Sequence, residues 1–416
     1  MTRVVLLNRF FSPDHSATSQ LATDLTTDLA ARGFDVVAIT SRQRYDNPSA
    51  HLARDETLSG VRIRRVDSTH FGRQNLVGRA IDYLSFYASS SYALWRESTR
   101  GSVIIAMTDP PLLSVPALIV ARLRGCKTVN WLQDVFPEVA ERLDLLHPRA
   151  LADFLRILRN WSLRHAEATV VIGERMAAHV ASYCAVPPVV IPNWALAEFP
   201  HSNALSPSAD KMASGALRRR WGLGAAFVVG YSGNMGRAHR LDGIIDAADA
   251  LRTEPALRFL LIGDGAQRPS LEARVRSLGL QNVMFQPYQL LEHLRDSLLL
   301  PDIHIVTLDE RLEGLIVPSK FVGVLAIGRP VLWIGAEDGE IGSLVQESGC
   351  GVTVPPGCAA KLARVLRELA EDHACAGARL QSMGHAAQAL WSRRFRRRDA
   401  LNAWAAVIKQ CAQEVR

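Results

Sequence analysis

The sequence predicts an α/β protein made of two doubly wound, Rossmann-like domains facing across a cleft. Three observations predict it. Short apolar runs of strand length alternate with longer segments of helical periodicity. The alternation restarts near the middle of the chain. Polar or glycine-bearing turns follow most of the strands. Such alternation implies parallel sheets covered on both faces, with ligands bound outside the carboxyl ends of the strands. At 416 residues the chain has room for two or three domains.

In the first half, residues 4–7 read as a buried strand, and the loop 8–14 follows, closed by Pro13. Leu21, Leu25 and Leu29 recur at helical spacing, and Gly33 stands where a C-terminal cap belongs. Residues 36–40 and 61–66 are the next strands, the second alternating Val61 and Ile63 with Arg62 and Arg64. A helix rich in Tyr and Ser covers 80–96. Strand 103–107 ends at Thr108-Asp109-Pro110-Pro111, helix 112–124 follows, and strand 128–132 ends at Gln133-Asp134. Helix 150–165 and strand 168–172 come next.

Residues 189–192 lead to Asn193-Trp194, and the polar stretch 201–214 reads as the linker. Residues 227–231 open the second series. It continues through a glycine turn, helix 241–251, strand 259–262, a second glycine turn, helix 270–278 and strand 283–285. Strands 303–308 and 331–334 flank a polar turn and an apolar helix.

Composition narrows the function classes. Nearly half of the residues are apolar and aromatics are sparse, a globular balance and not a disordered one. The formal charge of +7 fits an anionic partner such as a nucleotide-sugar, a lipid phosphate, a membrane surface or nucleic acid; plain surface chemistry explains it equally. None of the six cysteines forms a Cys-x-x-Cys pair, so reduced thiols are expected, with no disulfide frame and no zinc site. Residues 1–8 run straight into a strand without a secretory pattern, and the longest apolar stretch, 112–121, is far short of a membrane span. A cytoplasmic protein, soluble or peripheral, is the expectation.

The most informative stretch is Glu313-Gly314-Leu315-Ile316-Val317-Pro318-Ser319-Lys320, with Ala326-Ile327-Gly328-Arg329-Pro330 close behind. A strand, a polar turn and a helix N-terminus favour an anion. Glu313 suits hydroxyls and Lys320 suits phosphate, the pairing that a sugar diphosphate needs. An ordinary charged surface loop is the other reading. In Tyr231-Ser232-Gly233-Asn234-Met235-Gly236-Arg237-Ala238-His239 two glycines permit close backbone approach, and Arg237 and His239 can reach phosphate oxygens. A plain strand-to-helix turn would look the same. Gly263-Asp264-Gly265 is weak alone, and the dinucleotide fingerprint is incomplete because Arg268 holds its last glycine position.

In the first half, Phe11-Ser12-Pro13-Asp14-His15-Ser16-Ala17-Thr18-Ser19-Gln20 is dense in hydroxyls at a strand-to-helix junction and suits an acceptor sugar or a lipid phosphate. Capping by Ser16 or Thr18 is the alternative. Asp134 stands at a strand end, placed either to orient an acceptor hydroxyl or to cap the next helix. Residues 149–164 form a basic amphipathic helix with Leu151, Phe154, Leu155, Leu158 and Trp161 at helical spacing. Its apolar face is expected on the domain core; an anionic membrane is the other site for it. The basic cluster 393–398 reads as the solvated end of a helix continuing through Leu401, Trp404 and Ile408, without a nucleic-acid module. Metalloprotease, Walker, nucleophile-elbow and EF-hand motifs are absent.

Taken in order, these blocks resemble the retaining glycosyltransferases of family 4, with the two-domain GT-B fold, and among them the bacterial colanic acid and L-fucosamine-type surface-polysaccharide enzymes. The blocks are the 12–18 loop, Gln133-Asp134-Val135-Phe136-Pro137-Glu138, Ile191-Pro192-Asn193-Trp194, the 231–239 turn, Gly263-Asp264-Gly265, and Glu313 through Lys320 to Pro330. The resemblance implies an acceptor domain over 1–197, a nucleotide-sugar domain over 198–387, and a helix over 388–416 crossing back. It implies a nucleoside-diphosphate sugar, UDP-linked, as donor, a lipid-diphosphate-linked saccharide as acceptor, peripheral contact with the cytoplasmic membrane face, no nucleic acid and no metal.

Gly233, Asn234, Gly236, Arg237, His239, Gly263, Gly265, Glu313, Gly314, Ser319, Lys320 and Glu340 are the implied donor site. Asp14, His15, Ser16, Thr18 and Asp134 are the implied acceptor site, and Glu313, Asp134, Arg237 and Lys320 the catalytic set. Three departures stand out. Gly323 occupies the place of the family's second glutamate, with Glu340 a candidate substitute. Asn234 and His239 fall where Arg and Lys are common. The acceptor loop has no glycine. A sugar-nucleotide epimerase and an inactive binding or scaffold protein of the same fold are the competing readings.

Overall fold

The computed structural model describes residues 1–45, 47, 49–72, 76–195 and 215–413. The stretch 201–214, read as a linker, lies outside the described residues. Two compact units divide the chain. The first holds Met1–Leu196, Gly314–Val317 and Arg397–Arg416; the second holds Ala197–Glu313 and Pro318–Arg396.

In the first unit the strands are β1 (Arg3–Leu7), β2 (Asp35–Ser41), β3 (Asp55–Leu58), β4 (Val61–Val66), β5 (Val103–Met107), β6 (Lys127–Leu132), β7 (Ala168–Val171) and β8 (Val189–Val190). Their order in the sheet is β3-β4-β2-β1-β5-β6-β7-β8. All pairings are parallel except the β3–β4 hairpin, a polar edge strand that the apolar-run criterion passes over. β1 and β5 are buried almost throughout, as parallel strands covered on both faces must be.

The helices are α1 (Ala17–Ala31), α2 (Leu76–Glu97), α3 (Ser114–Arg124), α4 (Glu138–Arg142), α5 (Arg149–His165) and α6 (Glu174–Val180). Phe86 and Leu94 of α2 and Ala117 and Ala121 of α3 pack on Val5, Leu7, Val37 and Ile104, on one face of the sheet. Leu21, Leu25 and Leu29 of α1 pack on Val4, Leu6 and Val36, on the other.

In the second unit, after a helical segment at 215–220 (α7), come β9 (Phe227–Ser232), α8 (Asp242–Ala250), β10 (Leu257–Ile262), α9 (Arg268–Leu278), β11 (Val283–Gln286), α10 (Leu291–Leu299) and β12 (Ile303–Thr307). α11 (Lys320–Ala326), β13 (Val331–Ile334), α12 (Glu340–Ser348), β14 (Gly351–Val354), α13 (Ala359–Ala374) and α14 (Ala378–Arg394) follow. The sheet is fully parallel in the order β11-β10-β9-β12-β13-β14.

The last helix, α15 (Arg397–Gln413), belongs to the first unit. The sequence placed its start near residue 388 and read one helix through the basic cluster. In the structure α14 runs through Gln388 to Arg394, and the chain leaves it at Phe395, which packs edge-on against Phe321. α15 then covers the α1 face of the sheet with Leu401, Trp404 and Ile408. Trp131 of β6 lies between Trp194, stacked at 6.1 Å, and Trp404, at 4.7 Å. Asp24 of α1 ties the arrangement: it accepts two bonds from Arg397, both 2.8 Å, and one from Trp194 Nε1 at 2.7 Å.

α5 reverses the expectation for its apolar face. Its buried residues are Ala152, Arg159, Ser162 and Leu163, whereas Leu151, Phe154 and Ile157 are exposed. Polar bonding dictates the rotation. Ser162 Oγ donates to Ser114 Oγ at 2.8 Å, and Arg159 Nη2 reaches Glu138 Oε1 at 2.6 Å. Turning the apolar face inward would strand both groups without partners.

Trp404→Ala removes a fully buried indole from the contact that seats α15. The expected loss is about 3–5 kcal/mol, read from chemical denaturation. An unchanged midpoint would mean that α15 is not part of the first unit's core.

Candidate functional site

In the second sheet the chain leaves β9 in one direction and returns at β12 on its other side, so a crevice opens at their carboxyl ends. Two glycine turns meet there. A Cβ on Gly263 would lie 2.1 Å from the Gly233 carbonyl oxygen, so only glycine lets the turns touch. Met235 N–H donates to Asp264 O at 2.7 Å and Gln267 N–H to Met235 O at 3.0 Å, which locks the turns together. Gly265 is equally confined: its missing Cβ would stand 2.5 Å from Asn234 Oδ1.

Lys320, the first residue of α11, reaches into this crevice. Its ammonium donates to Tyr231 Oη and to His239 Nε2, the latter at 3.2 Å, and lies 4.1 Å from the Tyr231 ring centre. His239 Nδ1 bonds Thr307 O at 2.6 Å. A carbonyl only accepts, so Nδ1 carries the ring proton and Nε2 offers its lone pair to Lys320. Burial, the neighbouring ammonium second, pushes His239 down to about 3 and keeps it neutral. Tyr231 Oη donates to Asn234 O at 2.6 Å, and burial pushes its pKa up. Desolvation pushes Lys320 down to about 7. The cluster holds an ammonium at fixed position, with no carboxylate among these bonds.

The other expected donor residues divide. Arg237 is exposed and makes no hydrogen bond or ion pair among the described residues. Arg240 and Arg311 pair with the buried Asp309, at 3.2 and 2.9 Å. Glu313 Oε1 accepts the Glu340 N–H at 2.6 Å, at the start of α12. A Cβ on Gly339 would lie 2.5 Å from Glu313 Oε2, so that glycine admits the carboxylate. Glu313 and Glu340 thus meet through a backbone hydrogen bond. Ser319 is exposed and gives no side-chain cap to α11; Gly314, buried, falls in the first unit's segment 314–317. A Cβ on Gly323 would meet nothing within 4 Å, so the place of the family's second glutamate is open space.

In the first unit Asp134 follows β6, beside the end of β5. It pairs with Ile316 in an isolated bridge, and Val135 N–H donates to Leu315 O at 3.0 Å. It caps no helix: α4 begins behind Pro137. Asp134 Oδ1 is buried with no partner among the described residues and lines a cavity of about 20 Å³ with Thr108, Ser114 and Arg159, room for one water. Arg159 Nη1 is a second buried atom without a partner. Desolvation raises the Asp134 pKa, partly offset by Thr108.

The 12–18 loop is organised by Asp14, which is buried and accepts the backbone N–H groups of Ser16, at 2.8 Å, and Tyr45. Ser16 stands at the N-cap of α1 but makes no side-chain cap bond, and its Oγ is buried without a partner. Thr18 is half-buried and His15 exposed. Tyr231, Thr307 and Arg159 were not singled out from sequence. Tyr231 adjoins the glycine turn and could have been; Arg159 is indistinguishable there from the other α5 arginines. Among the described residues no group of three or more His, Cys, Asp or Glu side chains is placed to hold a metal ion, and all six cysteines are free.

Residues 18–194 match the family model for the glycosyl transferase 4-like domain, and residues 226–372 match that for glycosyl transferases group 1. The two matches together span most of the chain, which belongs to the family 4 type of glycosyltransferase, enzymes with the GT-B fold of two Rossmann-like domains. The chain is similar to the glycosyltransferase WbjE of Pseudomonas aeruginosa, 27% identical over 329 residues and 78% of each chain. It is 26% identical over 364 residues to WcaI of Escherichia coli K12, a colanic acid biosynthesis glycosyl transferase, covering 83% of this chain and 86% of that one. Among solved structures, sucrose-phosphate synthase of Thermosynechococcus elongatus superimposes with a TM-score of 0.75 at 16% identity over 99% of both chains. Anabaena HepE in complex with UDP and glucose gives 0.70 at 17% identity, over 98% of this chain and all of that one.

The lowered pKa of Lys320 fixes the sign of a pH effect. Unfolded, the ammonium titrates near 10.5; folded, near 7. Below about pH 7 both states are charged and the burial cost is borne in full. Between 7 and 10.5 the unfolded chain binds the extra proton, so this group's contribution rises with pH. Lys320→Met is expected to raise the melting temperature most at pH 6, with the gain shrinking towards pH 9.5. A gain independent of pH would contradict the depressed pKa.

Proposed function

We propose that the protein transfers a sugar from a UDP-linked donor to a lipid-diphosphate-linked saccharide, with retention at the anomeric carbon, in the assembly of a surface polysaccharide at the cytoplasmic membrane face. The observation that carries this reading is the Lys320 ammonium held among Tyr231, His239 and the two glycine turns at the switch point of the second sheet. A diphosphate bound there meets the fixed Lys320 amine, which the phosphate charge keeps protonated, beside the glycine turns. The colanic acid role in the name of WcaI supports the polysaccharide, and the UDP and glucose in the HepE complex support the donor.

In this reading Lys320 and Arg237 neutralise the departing diphosphate. Among the described residues nothing engages the Arg237 guanidinium, so its fork is available to two phosphate oxygens. Glu313, oriented by the Glu340 amide, fixes the donor sugar or ribose. Asp134 and the loop from Asp14 to Thr18 position the acceptor hydroxyl. The nucleophile's proton passes to a donor phosphate oxygen, so no protein base is needed. Neutralisation runs through the two basic side chains, and no metal is assigned a part.

Incubation with UDP-, GDP- and dTDP-sugars and lipid-linked acceptors, read as nucleotide release and lipid mass gain, tests the reaction. Turnover without acceptor would instead mark an epimerase, and nucleotide binding without either product an inactive scaffold. Arg237→Ala is expected to lower kcat by about 100-fold with an unchanged melting temperature, the usual scale for losing one charge-stabilising donor.

Diphosphate binding should also recharge Lys320. At pH 8 a group with a pKa of about 7 is mostly neutral, and nearby phosphate charge raises it. Titration calorimetry with UDP in buffers of different ionisation enthalpy is expected to show uptake of about 0.9 proton at pH 8, absent in Lys320→Met. Binding without proton uptake would remove Lys320 from the diphosphate site.

A further inference from the structure

We propose that the outward surface of α2, α3 and α5 docks the enzyme on an anionic lipid bilayer. The proposal deepens the membrane-facing part of the reading above by naming the surface that makes the contact.

The three helices lie side by side on one face of the first sheet. Phe86 of α2 and Ala117 of α3 share a core, and Ser162 of α5 bonds Ser114 of α3. Their outward sides are apolar where a solvated layer would be polar. On α2, Ile81, Leu84, Tyr92 and Trp95 are all exposed at helical spacing, with Leu84 at 64% and Tyr92 at 66%. The helix has 22 residues, so the stripe runs along a rod of about 33 Å. On α3, Leu123 is 69% exposed; on α5, Phe154 is 55% and Ile157 65% exposed. More than half of the exposed large hydrophobic side chains among the described residues lie on these three helices. A patch of that extent marks an interaction surface.

Charge selects the occupant. The three helices carry eight arginines against three carboxylates. Each carboxylate is engaged: Asp82 is buried and takes Thr69 Oγ1, Glu97 pairs with Arg62 and Arg64, and Asp153 pairs with Arg156. Arg96 and Arg149 are exposed and make no ion pair among the described residues. Arg122 lies over Trp161 at 5.3 Å and Arg124 over Trp95 at 5.0 Å, tying α3 to both neighbours through aromatic rings. Apolar rows with arginines and interfacial Trp and Tyr are the composition that seats in the headgroup region. A second copy is disfavoured, because a two-fold interface would set one arginine-rich face against itself.

Flotation of the full-length protein with vesicles of phosphatidylcholine alone, or mixed with phosphatidylglycerol, tests the proposal. The wild type is expected to float with the anionic vesicles and to be released by salt. Leu84→Glu/Tyr92→Glu/Phe154→Glu is expected to reduce the bound fraction at least about tenfold at an unchanged melting temperature, because the three side chains are exposed. Arg96→Glu/Arg149→Glu, at two solvated positions, should weaken binding in the same direction. Three results would overturn the proposal: wild-type protein left behind by anionic vesicles, the triple variant binding like wild type, or a wild-type dimer that the triple variant dissolves. Flotation uses neither donor nor acceptor, so its failure and a failure of the transfer assay are read separately.

Discussion

A parallel sheet must be covered on both faces, and in the first unit the cover comes from opposite ends of the chain. α1 and α15 share one face, with Trp131 between Trp194 and Trp404. Without α15 a row of buried strand side chains would meet water. Asp24 shows how the chain secures so distant a partner. One carboxylate takes both the guanidinium that opens α15 and the indole N–H of Trp194, so helix and sheet end are fixed by the same group. The loops that carry Asp14 and Asp134 leave the strands that this packing holds in place.

The second sheet makes its site by topology. Its strand order reverses at β9 and β12, and beside that point glycine allows the turns after β9 and β10 to come within backbone contact. Lys320 then sits in a pocket whose neighbours are a phenol and a neutral imidazole. Desolvation there, with neither neighbour a counter-ion, is why its proton is held weakly. A surface lysine beside a carboxylate would hold a phosphate as well as water allowed. This one is preorganised and has no counter-ion among the described residues, the condition under which an arriving anion gains most.

Much of this was legible in the sequence, and the failures have physical causes. Buried parallel strands such as Val4 to Leu7 read as uninterrupted apolar runs, so fold class and strand positions followed. β3 did not, because Asp55, Glu56 and Thr57 sit on an exposed edge. α5 showed its amphipathicity but not its direction: the Arg159–Glu138 pair and the Ser162–Ser114 bond decide which side faces in, and both join residues far apart in sequence. The break at Phe395 was hidden because the arginines around it are good helix formers. For the site, the glycine turns and Lys320 were visible as local patterns. Tyr231 as a phenol acceptor, Thr307 as the carbonyl that sets the His239 tautomer, and Glu313 as partner of the α12 amide are meetings of separate segments, which no short motif records.

The single glutamate at 313 is the sharpest departure from the family pattern, and the structure gives it a physical setting. The family's second position is Gly323, in a helix where glycine costs about 1 kcal/mol relative to alanine and where an added Cβ would touch nothing. Space is therefore not what excludes a larger residue there. Glu313 meanwhile is braced from the other side: its carboxylate takes the Glu340 amide at the start of α12, and Gly339 is bare where the second oxygen passes. The hydrogen bond from that amide fixes the carboxylate in direction. Glu313 thus takes its direction from the α12 amide, across from a flank that Gly323 leaves open.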